Sequence, residues 1–280
     1  ASPSKRFWSY CKSRKGTSPI PDTITHNGVS ATTSADIAQI FCQFFSECFN
    51  DSDAPDAPSP VYDRSSSISH CSSSSEDIYS FIRKLNNTSA AGVDEITSLM
   101  LKGTAYTVSP ILSDIFNLSL STGRIPDAWK LSRVVPVFKS GDPHAASNYR
   151  PISLQPICCK LLEKVIHGSV LQHLYCNKIL TDRQFGFLPK SSTSDALTTA
   201  LHEWYGHLED RKSIAMALFD LSKAFDRVPH RPLIDKLRAV GVTGPLLSWF
   251  RSYLSCRTQL VAIRGVDSNP VPVLSGVPQG

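Results

Sequence analysis

One segment of the sequence, Ser213-Ile214-Ala215-Met216-Ala217-Leu218-Phe219, is almost continuously apolar and leads directly to the carboxylate of Asp220. A short apolar run of this kind is typical of a β-strand that is buried on both faces. A carboxylate at the end of a buried strand costs free energy unless a cation meets it. The segment therefore predicts a core strand over residues 213–219 and makes Asp220 the first candidate for a functional site.

A second carboxylate, Asp226, follows Asp220 after a short turn. Mg²⁺ prefers oxygen ligands and is commonly held by one or two carboxylates together with substrate phosphate oxygens. Taken alone, the segment fits a magnesium site, and it fits equally well a helix cap at Asp220 with a local ion pair at Asp226. Both interpretations stay open at this point.

The rest of the chain mixes helical and strand patterns without regular βαβ alternation, which favours the α+β class. Apolar residues at helical spacing predict helices near residues 37–49, 78–85, 110–120, 157–174 and 194–208, and shorter ones at Pro232 and Pro245. β-Branched and aromatic residues predict a strand over residues 134–138 and a hairpin from residues 259–263 and 271–274. We expect Trp129, Trp204 and Trp249 to pack in the core.

The first 75 residues differ in composition from the rest. Residues 1–35 are rich in Ser, Thr, Pro and basic side chains, which predicts an extended arm whose Phe7 and Trp8 dock on the protein or stack on a base. Residues 50–75 contain Asp, Pro and Ser runs, which predict a mobile linker.

The net charge of +5 is unevenly distributed. Residues 123–190 carry 10 basic and 4 acidic side chains, whereas residues 21–122 carry 4 basic and 12 acidic ones. A basic block favours an anionic partner such as nucleic acid or nucleotide phosphate, because Lys and Arg displace condensed counterions. A solvated basic surface fits the charge pattern equally well.

The eight cysteines show no metal-binding spacing and predict free thiols in a reducing compartment. No apolar run reaches the length that a bilayer span requires, and the N-terminal residues do not resemble a signal peptide. We therefore expect an intracellular protein, in the nucleus or the cytoplasm, without a membrane partner.

Several motifs occur in one order along the chain. Asp220-Leu221-Ser222-Lys223-Ala224-Phe225-Asp226 resembles the first catalytic motif of reverse transcriptases, and Leu274-Ser275-Gly276-Val277-Pro278-Gln279-Gly280 resembles their next motif. Upstream segments are similar to the extension and fingers of non-LTR (LINE-type) retrotransposon reverse transcriptases, at residues 92–94, 123–130, 136–142, 148–154 and 184–187. The resemblance extends from residue 76 to residue 280.

The resemblance implies the fingers and a partial palm of a right-hand polymerase, with a flexible N-terminal connector. The implied division is a partly disordered connector and arm over residues 1–75, an N-terminal extension and fingers over residues 76–212, and a partial palm over residues 213–280. The implied activity is RNA-directed DNA polymerisation, in which dNTPs are added to a DNA primer on an RNA template. The family's aromatic-x-Asp-Asp motif does not occur in the chain, so we expect these 280 residues alone to lack turnover.

The same resemblance assigns the catalytic chemistry to the first motif. Asp220, with the backbone carbonyl of Leu221, would ligate the Mg²⁺ ions of a two-ion site that activates the primer 3′-hydroxyl and neutralises the leaving pyrophosphate. Phe225 would lie beneath the sugar of the nucleotide, where a bulky ring excludes a 2′-hydroxyl and selects dNTPs. Asp226 corresponds to a position that is not a metal ligand, and a structural hydrogen bond is the favoured interpretation.

Other residues are assigned to nucleotide and template. Lys139 and Arg150 would hold the triphosphate, the lysine as a point charge and the arginine as a bidentate donor. Gln279 would contact the nucleotide or the template base, and Gly276 and Gly280 would let the backbone approach the template strand. Surface positions for the two cations are the alternative interpretation.

Two other functions share part of this pattern. A non-catalytic RNA-binding module from a decayed element would bind RNA in a salt-dependent manner without Mg²⁺-dependent nucleotide binding. A maturase-like intron protein would share the palm, although the long Ser/Pro-rich connector argues against it.

Overall fold

The computed structural model describes residues 20–50 and 66–279. The helices in this part of the chain are α1 (Ser34–Ser46), α2 (Ser75–Arg83), α3 (Ser98–Gly103), α4 (Ala105–Thr122), α5 (Ile157–Cys176), α6 (Thr193–Glu209), α7 (His230–Ala239) and α8 (Gly244–Leu254). Short 3₁₀ turns occupy Asp127–Trp129 and Ala146–Asn148. The main helices predicted from apolar spacing are confirmed.

Two sheets accompany the helices. The strands are β1 (Ile24–His26), β2 (Val29–Ala31), β3 (Leu131–Phe138), β4 (Tyr149–Leu154), β5 (Thr258–Ile263), β6 (Val266–Asp267) and β7 (Val271–Pro272). β1 and β2 form a small antiparallel hairpin. The other five strands form one sheet in the order β4-β3-β5-β6, with β7 also paired to β5. The predicted hairpin is confirmed in part, because Gln259 pairs with Val271 whereas Ala262 and Ile263 pair with β6. The α+β class is confirmed.

Apolar side chains collect in two cores. One lies among helices α2–α5, α7 and α8 and includes Phe116, Leu162 and Trp249. The other joins helix α1 to the sheet, where Phe41 and Ile37 pack with Val134 of β3 and Val261 of β5. Strand β3 therefore presents one face to the second core, and its ends lead into the loops that form the site described below.

Residues 20–35 depart from the extended arm that their composition predicts. Asn27 and Gly28 both adopt left-handed backbone angles, with φ of 49° and 79°, and they close the β1–β2 hairpin. An Asn-Gly pair between two short extended segments is a strong hairpin signal, because both residues tolerate positive φ. Phe7 and Trp8 lie outside the described residues. The domain boundaries at residues 75 and 212 stay a prediction, although helix α1 shares a core with the sheet.

The prediction of a strand over residues 213–219 is wrong. These residues form neither helix nor strand, and Leu218 and Phe219 are 84% and 94% exposed. An apolar run indicates only that burial is favourable, whereas a strand also needs a hydrogen-bonding neighbour and apolar cover on its faces. No strand of the described sheet lies beside this segment, so neither requirement is met within residues 20–50 and 66–279.

Helix α6 also lacks the cover that its sequence predicts. Its N-terminus is closed by a capping box, in which Ser192 and Asp195 exchange side-chain to backbone hydrogen bonds. None of its residues is fully buried, however, and Trp204 belongs to neither core. The expectation of a core Trp204 is therefore wrong, whereas Trp249 is buried and Trp129 packs against the first core.

The seven cysteines in the described part of the chain form no disulfide, as predicted. A helix both long and apolar enough to cross a membrane is absent from residues 20–50 and 66–279.

Truncation of Phe41 to alanine is expected to lower the free energy of unfolding by about 3–5 kcal/mol, because the ring is fully buried. It packs on Phe45 and, edge to face, on Tyr149, with ring centres 5.8 Å and 4.9 Å away. Urea unfolding of the variant measures the loss. Leu118→Ala, at an exposed position of helix α4, should change stability by no more than about 0.5 kcal/mol. Equal losses of unfolding free energy in the two variants would contradict the placement of Phe41 in the second core.

Candidate nucleotide-binding site

A cleft of about 610 Å³ lies between the end of the β3–β4 hairpin, helix α1 and the turn at residues 220–226. Six of the residues assigned from the sequence line it, namely Lys139, Arg150, Asp220, Leu221, Phe225 and Gln279. These residues come from the β3–β4 hairpin, the turn at residues 220–226 and the end of the chain, which are far apart in sequence. The fold therefore brings the predicted cations, the predicted metal ligand and the predicted sugar contact to one place.

The two cations are placed by the β3–β4 pairing. Arg150 lies opposite Val137 in the antiparallel register, and Lys139 follows the last residue of β3. The backbone N–H of Lys139 donates to the Asn148 carbonyl at 2.8 Å, which extends the ladder past the strand end. Both side chains are exposed, and neither forms an ion pair with a described residue. Two cations without carboxylate partners suit a polyanionic ligand such as a triphosphate.

The turn that carries Asp220 is exposed up to Ala224 and then becomes half-buried. Lys223 adopts a left-handed backbone angle, with φ of 53°, and its carbonyl accepts the N–H of Asp226 at 3.0 Å. The Lys223 ammonium lies 2.8 Å from the Cys48 sulfur and 4.4 Å from the centre of the Phe44 ring. Helix α1 and the residues after it thus anchor the middle of the turn.

Phe225 is half-buried and forms the far end of the turn. Its ring meets the exposed Phe187 ring edge to face, with centres 5.8 Å apart. The Phe187 ring comes from the segment at residues 184–187 that resembles the fingers. The contact joins the Phe225 ring to this segment.

The loop over residues 274–279 docks on the turn through backbone groups. The N–H groups of Gly276 and Val277 donate to the carbonyls of Val228 and Phe225, both at 2.8 Å. Gly276 has φ of +86°, and a Cβ there would lie 2.6 Å from the Phe225 carbonyl oxygen. Gly276 is thus needed for close contact with the turn itself, and its predicted approach to a template strand stays a prediction. Gly280 lies outside the described residues.

Asp226 has a different environment from Asp220. Burial raises the pKa of the Asp226 carboxyl above its ordinary value, and the nearby Lys223 and Arg227 partly offset the rise. Asp226 lines the same cleft as Asp220, and it also lines a small neighbouring cavity of about 30 Å³ with the buried Arg257 and Gln259. Asp226 is thus less exposed than Asp220, and the assignment of the metal to Asp220 stays a prediction.

The residues present fit only a magnesium site in which the protein and the nucleotide both supply ligands. The turn offers the Asp220 carboxylate and the Leu221 carbonyl, and Mg²⁺ commonly takes one or two carboxylates and completes its shell with water and phosphate oxygens. Within the described residues, no three His, Cys, Asp or Glu side chains are close enough to hold a metal ion by themselves. A metal at this turn would depend on the nucleotide for further ligands.

Sequence reasoning missed the wall that helix α1 contributes. Phe44 and Phe45 of helix α1 line the cleft together with Cys48, which lies just beyond the end of the helix. Their spacing identifies them as one face of a helix, but spacing along one helix carries no information about which distant segment that face meets. The sequence therefore carries no local signal for this contact.

Comparisons with known proteins identify the family of the chain. A family model described as reverse transcriptase (RNA-dependent DNA polymerase) matches residues 138–280, just over half of the chain. The match includes each residue that the sequence assigned to the site.

Individual relatives point the same way. The chain is 30% identical over 206 residues to a probable RNA-directed DNA polymerase from transposon BS, and equally identical to the RNA-directed DNA polymerase from mobile element jockey, both of Drosophila melanogaster. It is 29% identical over 161 residues to the Pol polyprotein of the type-2 retrotransposable element R2DM of the same species. These matches cover 73%, 73% and 56% of this chain but 23%, 22% and 14% of the relatives. The chain therefore spans less than a quarter of the length of these relatives.

Proposed function

Because this chain belongs to the reverse transcriptase family and is similar to the polymerases of non-LTR, LINE-type retrotransposons, we propose that it forms the nucleotide-binding part of an RNA-directed DNA polymerase. Its substrates are dNTPs, a DNA primer and an RNA template. The observation that carries the proposal is the cleft in which Lys139, Arg150, Asp220 and Phe225 converge.

Each of these residues has a task that its chemistry supports. Lys139 and Arg150 bind the triphosphate and compensate its negative charge, while the half-buried Phe225 ring supports the sugar. Asp220 and the Leu221 carbonyl would hold Mg²⁺, which when bound lowers the pKa of the primer 3′-hydroxyl and neutralises the leaving pyrophosphate. Gln279 contacts the nucleotide or the template base from the loop at residues 274–279. The protein contributes mainly position and charge, as phosphoryl transfer requires.

The basic residues between 123 and 190 support the same proposal. The segment carries 10 basic and 4 acidic side chains, and it includes both Lys139 and Arg150. A nucleic acid bound along this segment would release condensed counterions, so RNA binding should weaken steeply with rising salt. The family depends on divalent metal ions. We propose further that two such ions bind at the site.

Arg150→Ala is expected to weaken binding of Mg²⁺-dNTP by about 10- to 100-fold, since a charge-assisted hydrogen bond contributes about 1.5–3 kcal/mol. Arg150→Lys should recover only part of the loss, because an ammonium cannot donate in the bidentate geometry of a guanidinium. Isothermal calorimetry on the 280-residue chain measures the dissociation constants.

The matched control for this experiment is Arg183→Ala. Arg183 belongs to the same basic segment, but it is exposed and paired with Glu203 at 2.8 Å. Its loss should leave the nucleotide affinity unchanged. Equal affinities of the Arg150 and Arg183 variants would remove Arg150 from the site. Salt-dependent RNA binding with no Mg²⁺-dependent nucleotide binding would favour the non-catalytic module instead.

A further inference from the structure

Asn50, four residues beyond the end of helix α1, contacts both motif segments of the cleft. Its backbone N–H donates to the Ser275 hydroxyl at 2.8 Å, and its side-chain Nδ2 donates to the Arg227 carbonyl at 2.7 Å. The Ser275 hydroxyl in turn donates to the Asp226 carbonyl at 2.7 Å. One residue thus links two segments that lie 225 and 177 positions away in the chain.

The link reaches backbone groups that have few other partners available. The carbonyls of Asp226 and Arg227 belong to a turn outside any helix or strand, so no regular ladder satisfies them. Ser275 is almost completely buried, and a buried hydroxyl must find both a donor and an acceptor. The Asn50 link satisfies these groups together and ties the turn to the loop at residues 274–279.

The same link acts on the residues that line the cleft. Phe225 directly precedes the bonded Asp226 and Arg227, and Gln279 ends the loop that starts at Ser275. The Ser153 N–H donates to the Gln279 carbonyl at 2.6 Å, so the loop is held at its other end by strand β4. Asp220 lies on a segment without a strand partner in the described part of the chain, and its position depends on how the turn is anchored.

We propose that Asn50 is a positioning residue for the nucleotide site. It fixes the separation between the turn at residues 220–227 and the loop at residues 274–279, and it thereby sets the distance between Phe225 and Gln279 across a bound dNTP. The inference rests on the proposed function. It extends the site to a segment that the matching family model does not include, since that match begins at residue 138.

The test compares Asn50→Ala with Gln43→Ala in the 280-residue chain. Asn50→Ala removes the bond to Arg227 and keeps the backbone N–H, whereas Gln43 is exposed on helix α1 and its side-chain amide donates to the Glu47 carboxylate. Loss of one positioning bond should raise the dissociation constant for Mg²⁺-dTTP by about three- to tenfold. Gln43→Ala should leave it unchanged. Calorimetry gives the affinities, and thermal unfolding without nucleotide gives Tm.

A purely structural role makes a different prediction. It would lower Tm in Asn50→Ala but leave the affinity of the folded protein equal to that of the unmodified chain, and this result would overturn the inference. Ser275→Ala breaks the same link from the other side, so its effect on affinity should be less than additive with that of Asn50→Ala. If Asn50→Ala fails to fold, Ser275→Ala decides by the same comparison of affinity with Tm. An unmodified chain that binds no Mg²⁺-dTTP would overturn the proposed function, and the inference with it.

Discussion

Asp220→Ala is expected to reduce Mg²⁺-dependent dNTP incorporation by about a hundred- to a thousandfold, because removal of one group that stabilises developing charge typically costs this much. The assay needs a version of the protein long enough to include an aromatic-x-Asp-Asp motif. It measures primer extension on an RNA template. Asp220→Asn should be almost as inactive, since a neutral amide keeps the shape of the side chain and loses its charge.

The control for this loss is Asp210→Ala. Asp210 is an exposed aspartate ten residues upstream that pairs with Lys212 at 2.8 Å and does not line the cleft. Surface ion pairs contribute little, so this variant should keep full activity. Substantial activity in Asp220→Ala would rule out the metal assignment, whatever the behaviour of Asp210→Ala.

Phe225→Val is expected to increase incorporation of ribonucleotides relative to deoxyribonucleotides by about 10- to 200-fold, the range that one steric contact in a pocket provides. The 2′-hydroxyl is the group that separates the two substrates, and a smaller side chain leaves room for it. The expected change is a fall in KM for ribonucleotides with little change in kcat for dNTPs. Steady-state primer extension with each nucleotide class measures the ratio.

Phe187→Leu distinguishes the contribution of the Phe187 ring from that of the Phe225 ring. Its ring touches Phe225 edge to face but is itself exposed, so its loss should relax discrimination less than the loss of Phe225 does. Tyr106→Ala removes an exposed ring of helix α4 and should leave discrimination unchanged. An unaltered nucleotide preference in Phe225→Val would remove Phe225 from the sugar position.

Local patterns predicted the helices well because an amphipathic helix records its own buried face in its spacing. Residues 157–174 form most of helix α5, and Gly123 ends helix α4 in a left-handed conformation. The same kind of pattern failed at residues 213–219, where the apolar run is exposed. A strand depends on a neighbour elsewhere in the chain, and composition cannot supply one.

The site was predictable only in part for a related reason. The order of motifs identified Lys139, Arg150, Asp220 and Phe225, and the fold places them around one cleft. The wall formed by Phe44 and Cys48 was not predictable, because neither residue type nor spacing indicates contact with a segment 175 positions away. Aromatic residues on one face of a helix are far more often core than part of a binding site.

By itself, the sequence determined the class of protein, the sign of its charge and the types of residue that carry its chemistry, since these depend on side-chain identity and on order along the chain. Only the tertiary structure decided how far each carboxyl is exposed. Asp220 is exposed and Asp226 is half-buried, although the two are six residues apart and line the same cleft. The physical reason is that desolvation and hydrogen bonding depend on segments such as residues 48–50, which meet the turn only after the chain has folded.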